Sequence, residues 1–145
     1  MVTPDTVVVH GGLKHCIHPD FMRDQLTRSL ERLGLPYLDV FLLHNPEYYL
    51  THSVKPGVTT PEELEGHRVE MERRVLEAFK ALEAEIASGS GRLRSYGISS
   101  NSFSLPAGHP HFFRYDHLVA LAEKVRFRLV GYFVLFAIMR AVMSI

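Results

Sequence analysis

The chain has 145 residues, of which 46% are hydrophobic, so it is long and apolar enough to bury a core. Sixteen Lys and Arg residues balance sixteen Asp and Glu residues, and the absence of a net positive charge argues against nucleic acid as a partner. Cys16 is the only cysteine, and the first residues lack a signal-peptide pattern. We therefore expect a reducing, cytoplasmic compartment.

Helix and strand patterns alternate along the first half of the chain. The segment from His18 to Gly34 predicts a helix, because Pro19 suits a first turn, leucines recur at helical spacing and Gly34 provides a left-handed stop. The run LDVFLL at Leu38–Leu43 is apolar on both faces, which favours a strand buried in a parallel sheet. Asp39 is the exception, and its carboxylate would need a partner.

The second half of the chain repeats this order. A long helix is predicted to begin near Thr60 and to end at the SGSG stretch of Ser88–Gly91. The segment LRSYGIS at Leu93–Ser99 predicts the next strand, and Arg114–Val125 predicts a further helix. Short connections between alternating helices and strands are typical of parallel α/β units. We therefore expect the two strands to be neighbours whose carboxyl ends meet at one edge of the sheet.

Two strands alone would leave both edges of a sheet open. Thr6–Val9 and the apolar C-terminal tail are therefore candidates for further strands. A closed (β/α)8 barrel needs about 250 residues, so a chain of this length would supply only about half of one. The fold class that these patterns predict is α/β.

Three segments carry a resemblance to a known family. The segment RDQLTRSLERLGLPYLDVFLLHNPE, which ends just beyond His44–Pro46, resembles the third helix and fourth strand of aldo/keto reductases. GRLRSYGISSN at Gly91–Asn101 resembles the connection from that family's fourth helix into its fifth strand. The resemblance implies a partial (β/α)8 TIM barrel over residues 1–125, running from about the third to the fifth helix. An unrelated apolar tail would follow over residues 126–145.

The resemblance also implies an activity. Aldo/keto reductases transfer a hydride between NADPH or NADH and a small carbonyl or alcohol substrate. His44 matches the family histidine that orients the carbonyl oxygen, and an imidazole there can hydrogen-bond an oxygen that gains negative charge. Ser99, Ser100 and Asn101 match the Ser-Asn pair that holds the nicotinamide carboxamide, with the register open by one residue because this chain reads SSN. The alternatives are a histidine paired with backbone and ordinary polar residues at a strand end.

The chain also departs from the family pattern. The family's catalytic aspartate and tyrosine precede the segments that match here, so no residue is assigned to them. Lys14 is the candidate for the family lysine, although it falls in a predicted connecting loop. The family's phosphate contacts come from later loops, and no GxGxxG or GxxxxGK segment replaces them. We therefore expect this chain by itself to lack activity and tight cofactor binding.

Other histidines invite a metal-binding interpretation. His15, Cys16 and His18 form a dense cluster, but the sequence offers no second cysteine pair, no HExxH and no obvious fourth ligand. No metal site is predicted, and a solvated loop is the simpler interpretation of this cluster. His109 and His111 are assigned no role.

The tail leaves a second class of function open. Leu129–Met139 runs for eleven residues without a charge, which is short of the roughly 20 needed to span a bilayer. Membrane insertion is therefore not expected. The alternative to an enzyme is a non-catalytic interaction protein, self-associating through exposed barrel edges or weakly associated with a membrane through this tail.

Overall fold

The computed structural model describes residues 3–55, 57 and 59–125, together with the backbone of residues 133–137. The regular elements follow in chain order: β1 (Val7–Val8), a 3-10 turn (His10–Gly12), β2 (Lys14–His15), α1 (Pro19–Leu33), β3 (Leu38–His44), α2 (Tyr48–Ser53), α3 (Pro61–Ala87), β4 (Leu93–Ser100), α4 (Tyr115–Val125) and β5 (Phe133–Ala137). The α/β class predicted from the sequence is confirmed.

The sheet that organises the molecule is parallel, with strand order β3, β4, β5. Leu38 pairs with Leu93 at one end and His44 with Ser99 at the other, which confirms that the two predicted strands are adjacent and that their carboxyl ends meet. The tail contributes Phe133–Ala137 as the third strand. The rest of the predicted tail, residues 126–132 and 138–145, lies outside the described residues.

The other candidate strand, Thr6–Val9, does not join this sheet. Only Val7 and Val8 are extended and paired, and they form a short antiparallel hairpin with β2. The hairpin closes where Val9 N–H donates to the Leu13 carbonyl at 2.8 Å. The sequence pattern was apolar and β-branched, but a strand of two paired residues is too short to extend a buried sheet.

Local chemistry fixes both ends of the predicted helices. The ring of His18 accepts a hydrogen bond from Asp20 N–H at 3.3 Å at the start of α1, and Gly34 ends that helix in the left-handed conformation with φ 65°. Thr60 and Glu63 form a reciprocal capping box at the start of α3, with bonds of 3.2 and 2.8 Å. These caps place the helices in the register that the apolar spacing requires.

The hydrophobic core lies between the helices and one face of the sheet. Leu43 and Ile98 are adjacent on that face and are completely buried. Phe79 of α3 packs on Tyr96 of β4 with ring centroids 5.2 Å apart, and the Tyr96 hydroxyl donates to the buried Glu83 carboxylate at 2.9 Å. The stripe predicted for the long helix is buried as expected: Val75, Phe79, Leu82 and Ile86.

Burial of β3 on both faces was a wrong prediction. Val40 and Leu42 are 40% and 36% exposed, because they face away from the helices and no described element covers that face. Asp39 does find a partner: Arg94 on the neighbouring strand donates to its carboxylate at 2.9 Å while its guanidinium stacks over the Tyr37 ring. This pair is exposed, so its contribution to stability is small.

Removal of the Phe79 ring tests the position of the core. We expect Phe79→Ala to lower the free energy of unfolding by about 3 to 5 kcal/mol, because the cavity it leaves is bounded by α3 and β4. Val69→Ala on the same helix is the control, since Val69 is 58% exposed and its loss should change stability by less than about 0.5 kcal/mol. Urea unfolding followed by circular dichroism measures both, and equal effects would contradict this assignment of the core.

Candidate active site

The candidate site lies where β3 and β4 end. His44 stands opposite Ser99 in the parallel register, so both side chains belong to the face of the sheet that looks away from the helices. Asn45 N–H donates to the Ser99 carbonyl at 2.7 Å and so continues the pairing one residue past β3. The structure therefore brings His44 together with the polar segment that the sequence associated with it.

The SSN segment divides between two environments. Ser99 shares the face of His44, whereas Ser100 is fully buried on the other side and its hydroxyl accepts from Ser102 N–H at 3.0 Å. Asn101 follows the strand and is exposed. Asn101 is thus the exposed residue of this segment, whereas Ser99 is only 5% exposed although it lies on the face of His44, and the Ser100 side chain packs on the helix-facing side.

Asn45 is the residue around which the two strand ends are joined. It is buried and has a left-handed backbone with φ 50°, a conformation that asparagine tolerates better than most residues. Its side-chain amide donates to the Tyr48 hydroxyl at 3.0 Å, and its side-chain carbonyl accepts from the Asn101 amide at 3.4 Å. The asparagine therefore ties the start of α2 to the loop after β4.

Glu47 places a second buried polar side chain against the loop that follows β4. It is 2% exposed, and its Oε1 accepts from Asn101 N–H at 3.1 Å. Burial raises the pKa of this carboxyl above 4.5, and hydrogen bonding from its own backbone and from Ser100, Asn101 and Ser102 opposes that rise. The Asn101 contact is the well-directed one, because Oε2 has no hydrogen-bond partner of good geometry among the described residues.

His15 contacts the backbone of His44. Its Nε2 lies 2.7 Å from the His44 carbonyl oxygen, and its ring meets that of Tyr48 edge-on with centroids 5.2 Å apart. Burial lowers the pKa of His15 below 6.5; the hydrogen bond with the His44 carbonyl opposes this shift, and charge repulsion from the His44 ring adds to it. This favours the neutral imidazole, which donates to the carbonyl through Nε2.

A cavity of about 370 Å³ adjoins these residues. His44, Tyr48, His15 and Lys14 contribute polar groups to its wall, Gln25 and Ser29 of α1 add two more, and the other lining residues are apolar side chains and Cys16. An apolar cavity of this size with a few converging polar groups is typical of a small-molecule site. It lies beside the carboxyl ends of parallel strands, the usual place for ligands in α/β sheets.

A larger cavity of about 520 Å³ lies elsewhere, between the last turns of α3 and α4. Lys80, Glu83 and Lys124 contribute its polar lining. It is at the end of the sheet where the strands begin, and Val125 at the end of α4 is among its lining residues. Because it lies beside the carboxyl ends of the strands, the smaller cavity is the candidate site.

The cluster near His15 is not a solvated loop, contrary to the simpler interpretation of the sequence. Cys16 is buried, lies 2.6 Å from the Thr3 hydroxyl and accepts from His18 N–H at 3.3 Å. Within the described part of the chain, no group of three His, Cys, Asp or Glu side chains is arranged to hold a metal ion. The packing of Cys16 against the N-terminal segment explains the burial that the sequence did not reveal.

The structure also locates Lys14, the candidate for the family lysine, and the two later histidines, His109 and His111. Lys14 lies on β2 of the hairpin and lines the cavity shared with His44. His109 and His111 lie in the loop before α4, where the His109 ring accepts from His111 N–H at 3.1 Å.

None of the described helices is long and apolar enough to cross a membrane.

Sequence reasoning missed Asn45, Glu47 and Tyr48 as members of the site. Their signal was present, since NPEY directly follows a strand that ends in His44. The six-residue helix α2 that positions Tyr48 shows no apolar periodicity long enough to predict it. Polar residues immediately after a strand were therefore the only available indication.

A pH dependence of stability follows from His15. An unfolded histidine takes up a proton near pH 6.5, whereas the lowered pKa keeps folded His15 neutral, so acid favours the unfolded chain. We expect His15→Gln to reduce the loss of unfolding free energy between about pH 7 and about pH 5. Leu13→Gln, in the same hairpin but without a titrating group, should retain the loss of the parent chain. Identical pH profiles for the parent and His15→Gln would contradict a half-buried His15 that stays neutral in the folded chain.

Comparison with known proteins identifies the family of the chain. A model of the aldo/keto reductase family matches residues 6–105. The NAD(P)H-dependent D-xylose reductase of Kluyveromyces lactis is 33% identical over 107 residues, covering 70% of this chain and 32% of that protein. The NADPH-dependent aldose reductase of Saccharomyces cerevisiae is 30% identical over 107 residues, with the same coverage. Rho crystallin of Aquarana catesbeiana is 35% identical over 96 residues, covering 64% of this chain and 28% of that protein.

The chain spans about a third of the length of the curated relatives it matches. The family match nevertheless covers more than half of the chain and includes both strand ends that form the candidate site. This chain belongs to the aldo/keto reductase family.

Proposed function

We propose that this chain supplies the carbonyl-orienting histidine and the nicotinamide-binding segment of an NAD(P)H-dependent aldo/keto reductase. In this proposal its sheet is one part of a (β/α)8 barrel in a cytoplasmic enzyme. The observation that carries the proposal is the register of β3 and β4, which sets His44 and Ser99 side by side at the carboxyl edge. Substrate-binding groups of such barrels come from that edge.

His44 would act on the substrate oxygen. The bound nicotinamide would supply or accept the hydride at the substrate carbon, and an imidazole N–H at the strand end would donate a hydrogen bond to the oxygen as negative charge develops. The backbone of His44 is held at its carbonyl by His15. Holding the main chain in this way limits the positions that the imidazole can adopt.

Ser99 and Asn101 would hold the cofactor carboxamide. A carboxamide has both a carbonyl acceptor and an NH₂ donor, and a hydroxyl beside a side-chain amide can satisfy both. Asn101 is exposed and its backbone N–H is fixed by Glu47, so its side chain is available at a defined place. NADPH and NADH both carry this carboxamide, and the proposal does not choose between them.

The 145-residue chain by itself is proposed to be inactive. Hydride transfer to a carbonyl needs a proton donor at the oxygen, and the family's aspartate and tyrosine have no match here. Lys14 and Tyr48 line the cavity with His44, but Tyr48 follows the strand that ends in His44, whereas the family's tyrosine lies earlier in the barrel. Loss of general acid assistance alone would slow the reaction by about 10²- to 10⁴-fold.

A chimaera with the Kluyveromyces lactis xylose reductase tests the proposal. Residues 6–105 of this chain would replace the matching segment of that enzyme, which supplies the rest of the barrel. We expect NADPH-dependent aldehyde reduction, and His44→Ala should lower kcat by about 10²- to 10³-fold because one donor to the developing oxyanion is lost. Stopped-flow or steady-state absorbance of the cofactor measures this rate.

His52→Ala is the control for the chimaera, since His52 is exposed on α2 and, among the described residues, its ring hydrogen-bonds the Val8 carbonyl at 2.9 Å rather than any group of the candidate site. It should leave kcat unchanged. A folded, active chimaera that is indifferent to His44→Ala would contradict the role of His44. Turnover by the isolated 145-residue chain, abolished by His44→Ala, would instead show that Lys14 and Tyr48 complete the site.

A second candidate function is non-catalytic self-association. The observation that favours it is the exposed apolar face of β3, where Val40 and Leu42 are 40% and 36% accessible. We expect sedimentation velocity to show a concentration-dependent dimer that Leu42→Lys abolishes. A monomer at every concentration would remove this candidate, and Val69→Lys on the exposed side of α3 is the matched control.

A further inference from the structure

We propose that Glu47 is a positioning residue that holds the Ser99–Ser102 segment in its ligand-binding arrangement. Glu47 follows β3, whereas the segment it contacts follows β4, so one carboxylate links the two strand ends. The link is a hydrogen bond of 3.1 Å from Asn101 N–H to Oε1. The nicotinamide part of this inference rests on the proposed function, while the loop-holding part does not.

Burial makes the Glu47 contact more than a surface interaction. The side chain is 2% exposed, and a carboxylate removed from water is tolerated only when neighbouring donors stabilise it. Those donors are the Asn101 N–H, with the backbone of Glu47 itself and the Ser100 and Ser102 hydroxyls close by. Apart from its own backbone, they belong to the end of β4 and the loop after it, so much of the cost of burying Glu47 is offset only while that segment keeps its present conformation.

Asn101 is the residue that this arrangement orients. Glu47 holds its backbone N–H, and Asn45 accepts from its side-chain amide at 3.4 Å. Because Asn101 is attached at two points, its exposed side chain has little conformational entropy left to lose when a ligand binds. Preorganised groups of this kind increase affinity chiefly by lowering the entropy cost of binding.

Glu83 provides a comparison within the same molecule. It is 4% exposed, accepts from the Tyr96 hydroxyl at 2.9 Å and, like Glu47, has one oxygen without a hydrogen-bond partner among the described residues. Its partner lies inside β4, in the core rather than at the strand ends. Both glutamates are therefore buried, but Glu47 contacts the loop after β4 whereas Glu83 contacts a core tyrosine. This difference makes Glu83 a matched control.

The experiment uses the full 145-residue chain and two measurements by nuclear magnetic resonance. The first is the hydrogen exchange rate of the Asn101 amide. The second is the shift of the Ser99 and Asn101 amides on titration with reduced nicotinamide mononucleotide, NADPH or NADH to millimolar concentration. Glu47→Leu removes both acceptors, and Glu47→Gln keeps one neutral acceptor. Glu83→Leu and Glu83→Gln are the controls, and circular dichroism verifies that each variant is folded.

We expect Glu47→Leu to speed Asn101 exchange and to weaken nicotinamide binding, each by about tenfold, with Glu47→Gln intermediate at about threefold because a neutral acceptor bonds less strongly. The Glu83 variants should leave both quantities unchanged. If Glu47→Leu fails to fold, the comparison of Glu47→Gln with Glu83→Gln tests the inference instead. Parent-like exchange and binding in a folded Glu47 variant would overturn the inference.

Failure of the proposed function gives a different result. If the parent chain shows no shift with any nicotinamide compound while Glu47→Leu still exposes the Asn101 amide, the cofactor assignment is lost and the loop-holding role stands. If exchange is insensitive to Glu47 but binding occurs at Ser99 and Asn101, the proposed function stands and the positioning role is lost.

Discussion

The in-register parallel pairing of β3 with β4 is the constraint on which the rest of the structure depends. It places Leu43 beside Ile98 on the helix-facing side and His44 beside Ser99 on the other. Because side chains alternate along a strand, a slip of one residue would expose the core pair and turn the histidine toward the helices. Burial of the core and assembly of the site are thus secured by the same register, and the bond from Asn45 N–H to the Ser99 carbonyl extends it beyond the strand.

The ends of the strands carry features that a protein core normally avoids. Asn45 has a left-handed backbone, and the Glu47 carboxylate is buried with one oxygen lacking a hydrogen-bond partner among the described residues. Such local costs persist only where surrounding structure over-determines them, and they concentrate at functional sites. Here the surrounding structure is the fixed pair of strands, which brings Asn101 within reach of both residues. In the proposed function, the same fixed strand ends would hold the ligand.

The two faces of the sheet differ in a way that membership of the family explains. The helix-facing side is packed by α1, α3 and α4, whereas Val40 and Leu42 remain accessible on the other side. In a closed barrel the inward face is filled by side chains from other strands. The exposed apolar face of β3 is the face that would lie inward in such a barrel.

The sequence by itself determined the elements whose signals are local. Apolar spacing and end caps such as Thr60 and Gly34 predicted α1, α3 and α4, because a helix is stabilised by contacts within a few residues of each position. The short helix α2, the burial of Cys16 and the exposure of β3 depended on tertiary structure, since each is set by residues distant along the chain. The candidate site followed the same division. The motifs predicted that His44 and the SSN segment lie at neighbouring strand ends, whereas the bond between Glu47 and Asn101 joins positions 54 residues apart and exists only because β3 and β4 are neighbours.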